Sequence, residues 1–400
     1  MLKIAVVTAH FPSSAHPTHG RPAFETMRVL NGACDVRVFF PHAVYPAFLK
    51  PRSRIYSGLD PSYSPPGITV GYYGYPALPM VSRPFNGQLA ARSLLPHVRG
   101  FAPDLIFSYF LYPDGYAALK IGRALHVPVV AMGVGSDVHS IQDRFSRMRT
   151  RTVVKEADFL VAISEDLRRR MVAMGARPYK TRTIVSGCDL SVFRPMDRLQ
   201  ARTDLHIDPD SEAIVYIGRM DVKKGLRELV EAAALLHSDR PNLHVYLIGE
   251  GSDRPVIEGA IQANNATGYV HLMPECSFGE VASWMTAANL VTLPSYMEGC
   301  PNVVLEALAC GRPVVATNVG GIPELMSDRY GRLVPPRDPA ALSQALASVL
   351  GETWDANSIA AHAGRGWDSV AADLLDIFES LVPAVDRRCR PANRRNCATR

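Results

Sequence analysis

At 400 residues, 47% hydrophobic and 20% charged, the chain has a globular composition and the length for two or three domains of roughly 150 residues. No run of about eighteen apolar residues occurs, which argues against a membrane-spanning helix. Seven scattered cysteines without a Cys-x-x-Cys pair argue against a disulfide framework or zinc site and point to a reducing cytoplasm.

The chain opens on Met1–Thr8, too short and wrongly flanked for a signal peptide, which predicts a buried first strand. Further strands are expected at 36–40, 105–108, 127–131, 160–163 and 183–185. Helices are expected at 22–33, 86–98, 115–125, 143–156 and 165–174. Such alternation implies βαβ units on a parallel sheet. The Pro/Tyr/Gly-rich stretch 41–83 breaks the rhythm and is expected as an excursion at the sheet rim. A second series begins near Ala213, with strands at 213–217, 243–248, 270–272, 290–293 and 314–316. Its helices are expected at 225–238, 253–264, 278–287 and 301–310. The fold class is therefore α/β, with two facing Rossmann-like domains. They are placed at 1–190 and 191–366, joined through a linker at 189–210. A last helix at 367–382 completes the first domain, and 383–400 forms a basic, disordered tail. Ligands of open α/β sheets bind at the carboxyl ends of the strands, so an interdomain cleft is the expected place for a two-substrate reaction.

The net charge of +5 conceals an asymmetry: residues 1–190 carry +11, residues 191–383 carry −11 and the last seventeen carry +5. The basic first half suits an anionic partner such as membrane lipid or a lipid-linked acceptor. The runs Arg144–Arg151 and Arg168–Arg170 would serve peripheral contact, although a solvated helix face is the plainer account. Nucleic acid is not expected, because no stacking surface or reader motif is present.

Two segments of the second half carry chemistry. Gly218 and Arg219 follow a predicted strand, and Lys224 and Gly225 open a helix. Glycines permit close backbone approach, and the two cations with the free N–H groups of a helix start suit a diphosphate. A strand–turn–helix with solvated cations fits those residues equally well. In the second segment, Glu298 lies in a loop and Glu306 lies inside an apolar helix that opens with Pro301 at its first position. The open N–H groups of Asn302, Val303 and Val304 would receive a negative group. A carboxylate among apolar neighbours needs a partner, either ribose hydroxyls or an internal cation.

These residues resemble the family 4 retaining glycosyltransferases of GT-B fold. The resemblance rests on Gly218–Gly225, Gly249–Gly251, Glu298 with Glu306, and Gly311–Glu324. Weaker marks stand at Gly133–Asp137, Ile163–Ser164, Gly187–Pro195 and Trp367, and the likeness covers roughly residues 1–382. It implies that Arg219 and Lys224 bind a donor diphosphate and Glu306 the ribose. Glu298 and the backbone through Gly299, Asn302 and Val303 would hold sugar and phosphate. Gly249 belongs to the same donor set, the backbone near Met273 would meet the base, and Gly20 would let the first domain approach the diphosphate. Glu298, Asp137 and Tyr109 are the catalytic candidates. Gly135–Asp137 would line the acceptor side, and Tyr109 stands where the family often has histidine. The expected reaction moves a hexosyl group, most commonly from a uridine diphosphate donor, to a carbohydrate or lipid-linked hydroxyl. It needs no metal or cofactor, and its setting is polysaccharide, cell-envelope or glycolipid synthesis at the cytoplasmic membrane face. A sugar-nucleotide epimerase and a non-catalytic nucleotide-sugar binder compete with it.

Three other patterns are set aside. Gly249-x-Gly251 lacks the third glycine of a dinucleotide fingerprint. Asp208-Pro209-Asp210 resembles a metal-binding Asp-x-Asp but sits in a linker, where aspartates make turns. His10, His16 and His19 lack metal-ligand spacing.

Overall fold

The computed structural model describes residues 1–17, 19–46, 48, 59–79, 81–141 and 143–382. The tail assigned to 383–400 lies outside them. The chain divides into two compact units. Residues 1–162, 170–184 and those from 370 on form the first, and 163–169 with 185–369 form the second. The sequence placed its boundaries at 190/191 and 366/367.

The first unit carries strands β1 (Lys3–Val7), β2 (Asp35–Val44), β3 (Thr69–Pro76), β4 (Leu105–Ser108), β5 (Val129–Gly133), β6 (Phe159–Ala162) and β7 (Thr181–Thr183). They form one parallel sheet in the order β3-β2-β1-β4-β5-β6-β7. Helices α1 (Arg21–Leu30), α2 (Asn86–Phe101), α3 (Tyr116–Leu125), α4 (Ser136–His139), α5 (Arg144–Glu156) and α6 (Glu165–Ala173) connect them. Ile4 to Val7 are fully buried, the unbroken apolar signature of a strand covered on both faces. Asp143 starts α5 by accepting the Ser146 N–H at 2.7 Å.

The excursion expected at 41–83 is corrected. β2 runs on to Val44, and Thr69–Pro76 is a strand paired with it in parallel. β3 is the sheet edge, where glycine and proline are tolerated. Its Tyr72 and Tyr73 lie over Phe40 and Phe39, with ring centroids 5.1 and 5.9 Å apart. The last helix, α14 (Trp367–Leu381), contributes to this unit from Val370 on. Phe378 packs 5.4 Å from the Phe107 ring, and Arg182 spans Asp373 and Asp376 at 2.9 and 3.0 Å.

The second unit repeats the plan with β8 (Glu212–Ile217), β9 (Leu243–Ile248), β10 (Val270–Met273), β11 (Leu290–Leu293), β12 (Val314–Thr317) and β13 (Gly331–Val334). The parallel order is β10-β9-β8-β11-β12-β13. Its helices are α7 (Arg198–Asp204), α8 (Leu226–His237), α9 (Arg254–Ala263), α10 (Phe278–Ala287), α11 (Asn302–Ala309), α12 (Pro339–Gly351) and α13 (Ala356–His362). Ser277 and Glu280 close a reciprocal capping box on α10, and Asp338 caps α12. The sequence missed β13, α12 and α13, and it read α7 as linker. Arg202 of α7 is 1% exposed and reaches five oxygens, so a packing anchor holds this polar stretch in place. Asp208-Pro209-Asp210 makes a turn, with the Asp208 carboxylate accepting the Asp210 N–H at 2.9 Å.

In the first sheet the order reverses between β1 and β4, and two buried carboxyls stand beside that reversal. Asp114 accepts the Ala9 N–H at 2.9 Å. Asp137 accepts the N–H groups of Leu111, Val134 and Gly135 at 2.8, 3.0 and 3.0 Å. Burial pushes Asp114 up to about 7, with the Asp137 charge adding to it, and burial pushes Asp137 up to about 6. A carboxyl with a raised folded value keeps its proton in the native state after the unfolded chain has lost it. Stability from these groups is therefore fully present below the ordinary value near 3.8 and falls as pH rises through about 6–7. Asp114→Asn removes one such group. The melting temperature of the variant minus that of wild type is expected to rise between pH 4.5 and 7.5, a comparison made by thermal denaturation in matched buffers.

Candidate functional site

The order of the second sheet reverses between the paired strands β8 and β11. Connections leaving neighbouring strands at such a point diverge and open a crevice at the carboxyl ends. The loops after β8 and β11 hold Arg219 with Lys224 and Glu298 with Gly299, respectively.

After β8 the chain turns at Gly218, and Arg219 is exposed with no ion pair among the described residues. Asp221 accepts the Lys223 N–H at 2.8 Å and starts a short turn that ends at Gly225 in the left-handed region. A Cβ at Gly225 would stand 2.1 Å from the Pro294 carbonyl oxygen, so only glycine lets the two loops meet. Tyr296 donates its N–H to the Lys223 carbonyl at 2.8 Å. Lys224 Nζ then lies 2.6 Å from Glu298 Oε1, with side chains 21% and 12% exposed. Tyr216, buried at the end of β8, donates its hydroxyl to the Arg219 carbonyl at 2.8 Å. Burial, then the nearby Glu298 charge, push the Tyr216 phenol far above its ordinary value, while Arg219 opposes them. Arg219 and Glu298 thus both act on one buried phenol, and Lys224 joins them through its pair with Glu298.

The Glu298–Gly299 peptide is clasped from the far side. A Cβ at Gly320, which has φ +54°, would stand 1.8 Å from the Glu298 carbonyl oxygen. One at Gly321 would stand 2.2 Å from that of Gly299. Gly249, at φ +134°, packs against the Gly218 carbonyl and donates its N–H to Met273 O at 3.3 Å. Gly249 and Met273 thereby border the same loop.

Pro301 is corrected from the first helical position to the N-cap, because its ψ of 115° is extended. Val304 donates back to Pro301 O at 3.1 Å, so only the Asn302 and Val303 N–H groups remain at the mouth of the helix. Glu306 stands one turn further along α11, where its charge reinforces the effect of burial on the thiols of Cys188 and Cys310.

The first unit holds the other three candidates. Gly20, at φ +68°, begins α1, and a Cβ there would stand 2.4 Å from His10 O. Tyr109 is 6% exposed, its ring edge-on to Phe107 at 6.3 Å. Asp137 spends its carboxylate on the three backbone N–H groups named above, which suits holding the loop in shape more than proton transfer. A cavity of about 280 Å³ lies here, lined among others by Tyr45, Tyr75, Arg83, Asn86 and Ser136. An apolar trough of about 670 Å³ adjoins it and shares Tyr45 and Tyr75. The His10 and His19 rings meet edge to face at 4.2 Å.

Tyr216 and Tyr296 were not singled out from the sequence. A tyrosine that closes a strand carries no local mark that separates a site wall from ordinary core. Among the described residues, no helix is long and apolar enough to cross a membrane.

Residues 23–187 match the family described as "Glycosyl transferase 4-like domain", and residues 211–352 match "Glycosyl transferases group 1". A D-inositol 3-phosphate glycosyltransferase of Jonesia denitrificans is 33% identical over 245 residues, 57% of this chain and 58% of the relative. The chain thus spans a little under three-fifths of that relative's length. Among solved structures, sucrose-phosphate synthase from Thermosynechococcus elongatus superposes with a TM-score of 0.81 at 21% identity, covering 95% of this chain and 99% of that one. Anabaena Alr3699/HepE in complex with UDP superposes at 0.74 with 17% identity, covering 95% and 100%.

Proposed function

Because the chain belongs to the family 4 glycosyltransferases of GT-B type, we propose that it moves a hexosyl group from a uridine diphosphate sugar to an acceptor hydroxyl with retained configuration. The observation that carries this reading is the Lys224–Glu298 pair with the open Arg219 beside it, at the switch point of the second sheet.

In the proposed step the bond from the sugar C1 to the diphosphate oxygen breaks, and the acceptor oxygen bonds to C1 on the same face. The acceptor proton passes to the departing phosphate oxygen. Negative charge grows on the diphosphate, where Arg219, Lys224 and the N–H groups of Asn302 and Val303 would meet it. Lys224 has three donors and gives one to Glu298, which leaves two for phosphate oxygens. Glu298 would hold the sugar, Glu306 the ribose, and the Met273 backbone the base. Neither a metal nor a cofactor enters this scheme. HepE, a structural neighbour, is solved with UDP, which favours uridine in the base position.

For the acceptor, the polar cavity and the apolar trough of the first unit suit a molecule with a polar head and an apolar chain. This supports a lipid-linked acceptor, cell-envelope or glycolipid synthesis, and contact with an anionic membrane. Radiolabelled uridine diphosphate sugars incubated with the protein and a bacterial membrane extract are expected to yield label in the organic phase. Rearranged sugar from donor alone would instead indicate an epimerase. Binding of donor with no turnover on any extract would indicate a non-catalytic protein.

A further inference from the structure

A second polar cavity lies in the second unit, at the opposite end of the strands from the site above. Its volume is about 270 Å³, and its wall includes Arg198, Asn289, Arg312, Glu352 and Thr353. Asn289 leads into β11 and Arg312 into β12, so the cavity faces the amino ends of those strands. The four residues of β11 put roughly 13 Å of strand between it and the Glu298 loop.

The charge there is unbalanced. Arg198 and Arg312 are both half-buried, and neither makes an ion pair among the described residues. The Nε atom of each is buried without a hydrogen-bond partner, and Arg312 Nη1 reaches the Ala288 carbonyl at 3.4 Å. Burial lowers the Arg312 guanidinium to about 10, with Arg198 repelling it further. The one carboxylate in the wall is already neutralised, because Arg332 holds both oxygens of Glu352 at 2.7 and 2.9 Å. Asn289 commits its Oδ1 to Arg202 and to the Ala213 N–H, which turns its amide nitrogen into the remaining donor. Two half-buried like charges raise the energy of the empty protein, and an anion between them would remove that cost. Paired guanidiniums match phosphoryl oxygens in planar, bidentate geometry.

We propose that this cavity is an anion site for a phosphoryl group, held by Arg198, Arg312 and the Asn289 amide and separate from the donor site. It stands independently of the proposed transfer reaction. The test is thermal melting of the whole protein in sodium phosphate against sodium chloride at matched ionic strength. Wild type is expected to gain about 3–8 °C at saturating phosphate. Arg198→Gln is expected to lose that gain and, in chloride, to melt no lower than wild type, because one of two repelling charges is gone. Arg312→Gln repeats the loss of the gain where it folds. Ribose 5-phosphate as a second arm separates sources: half of the gain reached at the same concentration as with phosphate assigns the phosphoryl group alone, and at a lower concentration assigns a phosphate ester. No phosphate-specific gain in wild type overturns the proposal. So does an undiminished gain in Arg198→Gln, which would place the phosphate elsewhere. A lower melting point of Arg198→Gln in chloride overturns it too, since the guanidinium would then serve the fold.

Discussion

Lys224→Ala is expected to lower kcat/KM for the sugar nucleotide by about 10²–10³, the loss typical of one charged or hydrogen-bonding group aimed at a developing anion. Lys224 stands at the crevice of the second sheet with its ammonium 2.6 Å from Glu298. That contact holds it in place before any substrate arrives, so little ordering is left for the reaction step. The fold should tolerate the change better than the chemistry does. Lys224 lies in a loop, and its side chain is 21% exposed. Its removal leaves Glu298 short of one partner at about 1–3 kcal/mol, a smaller loss than the catalytic one at the upper end of its range. Steady-state transfer assays beside melting curves separate the two effects. Transfer at the wild-type rate in a protein that melts normally would remove Lys224 from the donor site. A companion Glu298→Gln variant should weaken transfer as well, since the carboxylate both aligns Lys224 and faces the proposed sugar.

Arg202→Met should destabilise the fold more than Lys224→Ala, Glu298→Gln or Asp114→Asn. The side chain is 1% exposed and makes no ion pair among the described residues, with the more distant Asp208 charge offsetting part of its burial. Its Nε donates to Ala287 O at 2.9 Å, and its Nη1 donates to the carbonyls of Asp208, Pro209 and Ser211 at 3.0, 2.7 and 2.9 Å. Its Nη2 donates to Asn289 Oδ1 at 2.7 Å. Burial pulls the guanidinium down to about 10, with Arg198 and then Arg312 adding repulsion, so it stays charged at neutral pH. Methionine fills much of the volume but takes the guanidinium donors from the carbonyls of Pro209, Ser211 and the distant Ala287, while Asp208 O keeps the Ser211 N–H and hydroxyl at 3.1 and 2.7 Å. The expected cost is about 3–5 kcal/mol, less than three full penalties because the loop can relax toward water. That corresponds to a melting temperature lower by roughly 10 °C for a unit of this size. Arg202→Lys should fall between, because one ammonium cannot reach all five oxygens. A methionine variant that melts with wild type would show that the loop 208–211 is held by other contacts.

Much of the architecture was legible in the sequence because its signals are local. Buried parallel strands such as Leu105–Ser108 and Leu290–Leu293 are short apolar runs, and their bounds agree with the structure. α10, with its Ser277–Glu280 capping box, was legible for the same reason. β3 was not, because three glycines and prolines among its eight residues break the alternation that marks a strand. Pairing with β2, the rings of Phe39 and Phe40, and the Ser93 hydroxyl donated to Gly74 O at 2.9 Å hold it extended. α7 was lost in the linker because its anchor, Arg202, reads as a surface residue until its five acceptors are known.

The proposed donor set shows the same division. The glycines and charges of 218–225 and 298–306 could be recognised as a group from spacing and family likeness. That Gly225 touches Pro294, that Gly320 and Gly321 clasp the Glu298 loop, and that Tyr216 sits beneath Arg219 could not.

Local signals in the chain carry two α/β series, their order, the family and the identity of the charged residues around the second sheet's switch point. The tertiary structure alone decided which of those residues meet, that Asp137 is consumed by backbone N–H groups, and that Arg198 and Arg312 share a cavity without a counter-charge. The physical reason is range. Propensity, capping and periodicity act over a few residues and leave a mark in the chain, whereas close approach and charge balance are set by packing between segments far apart in sequence.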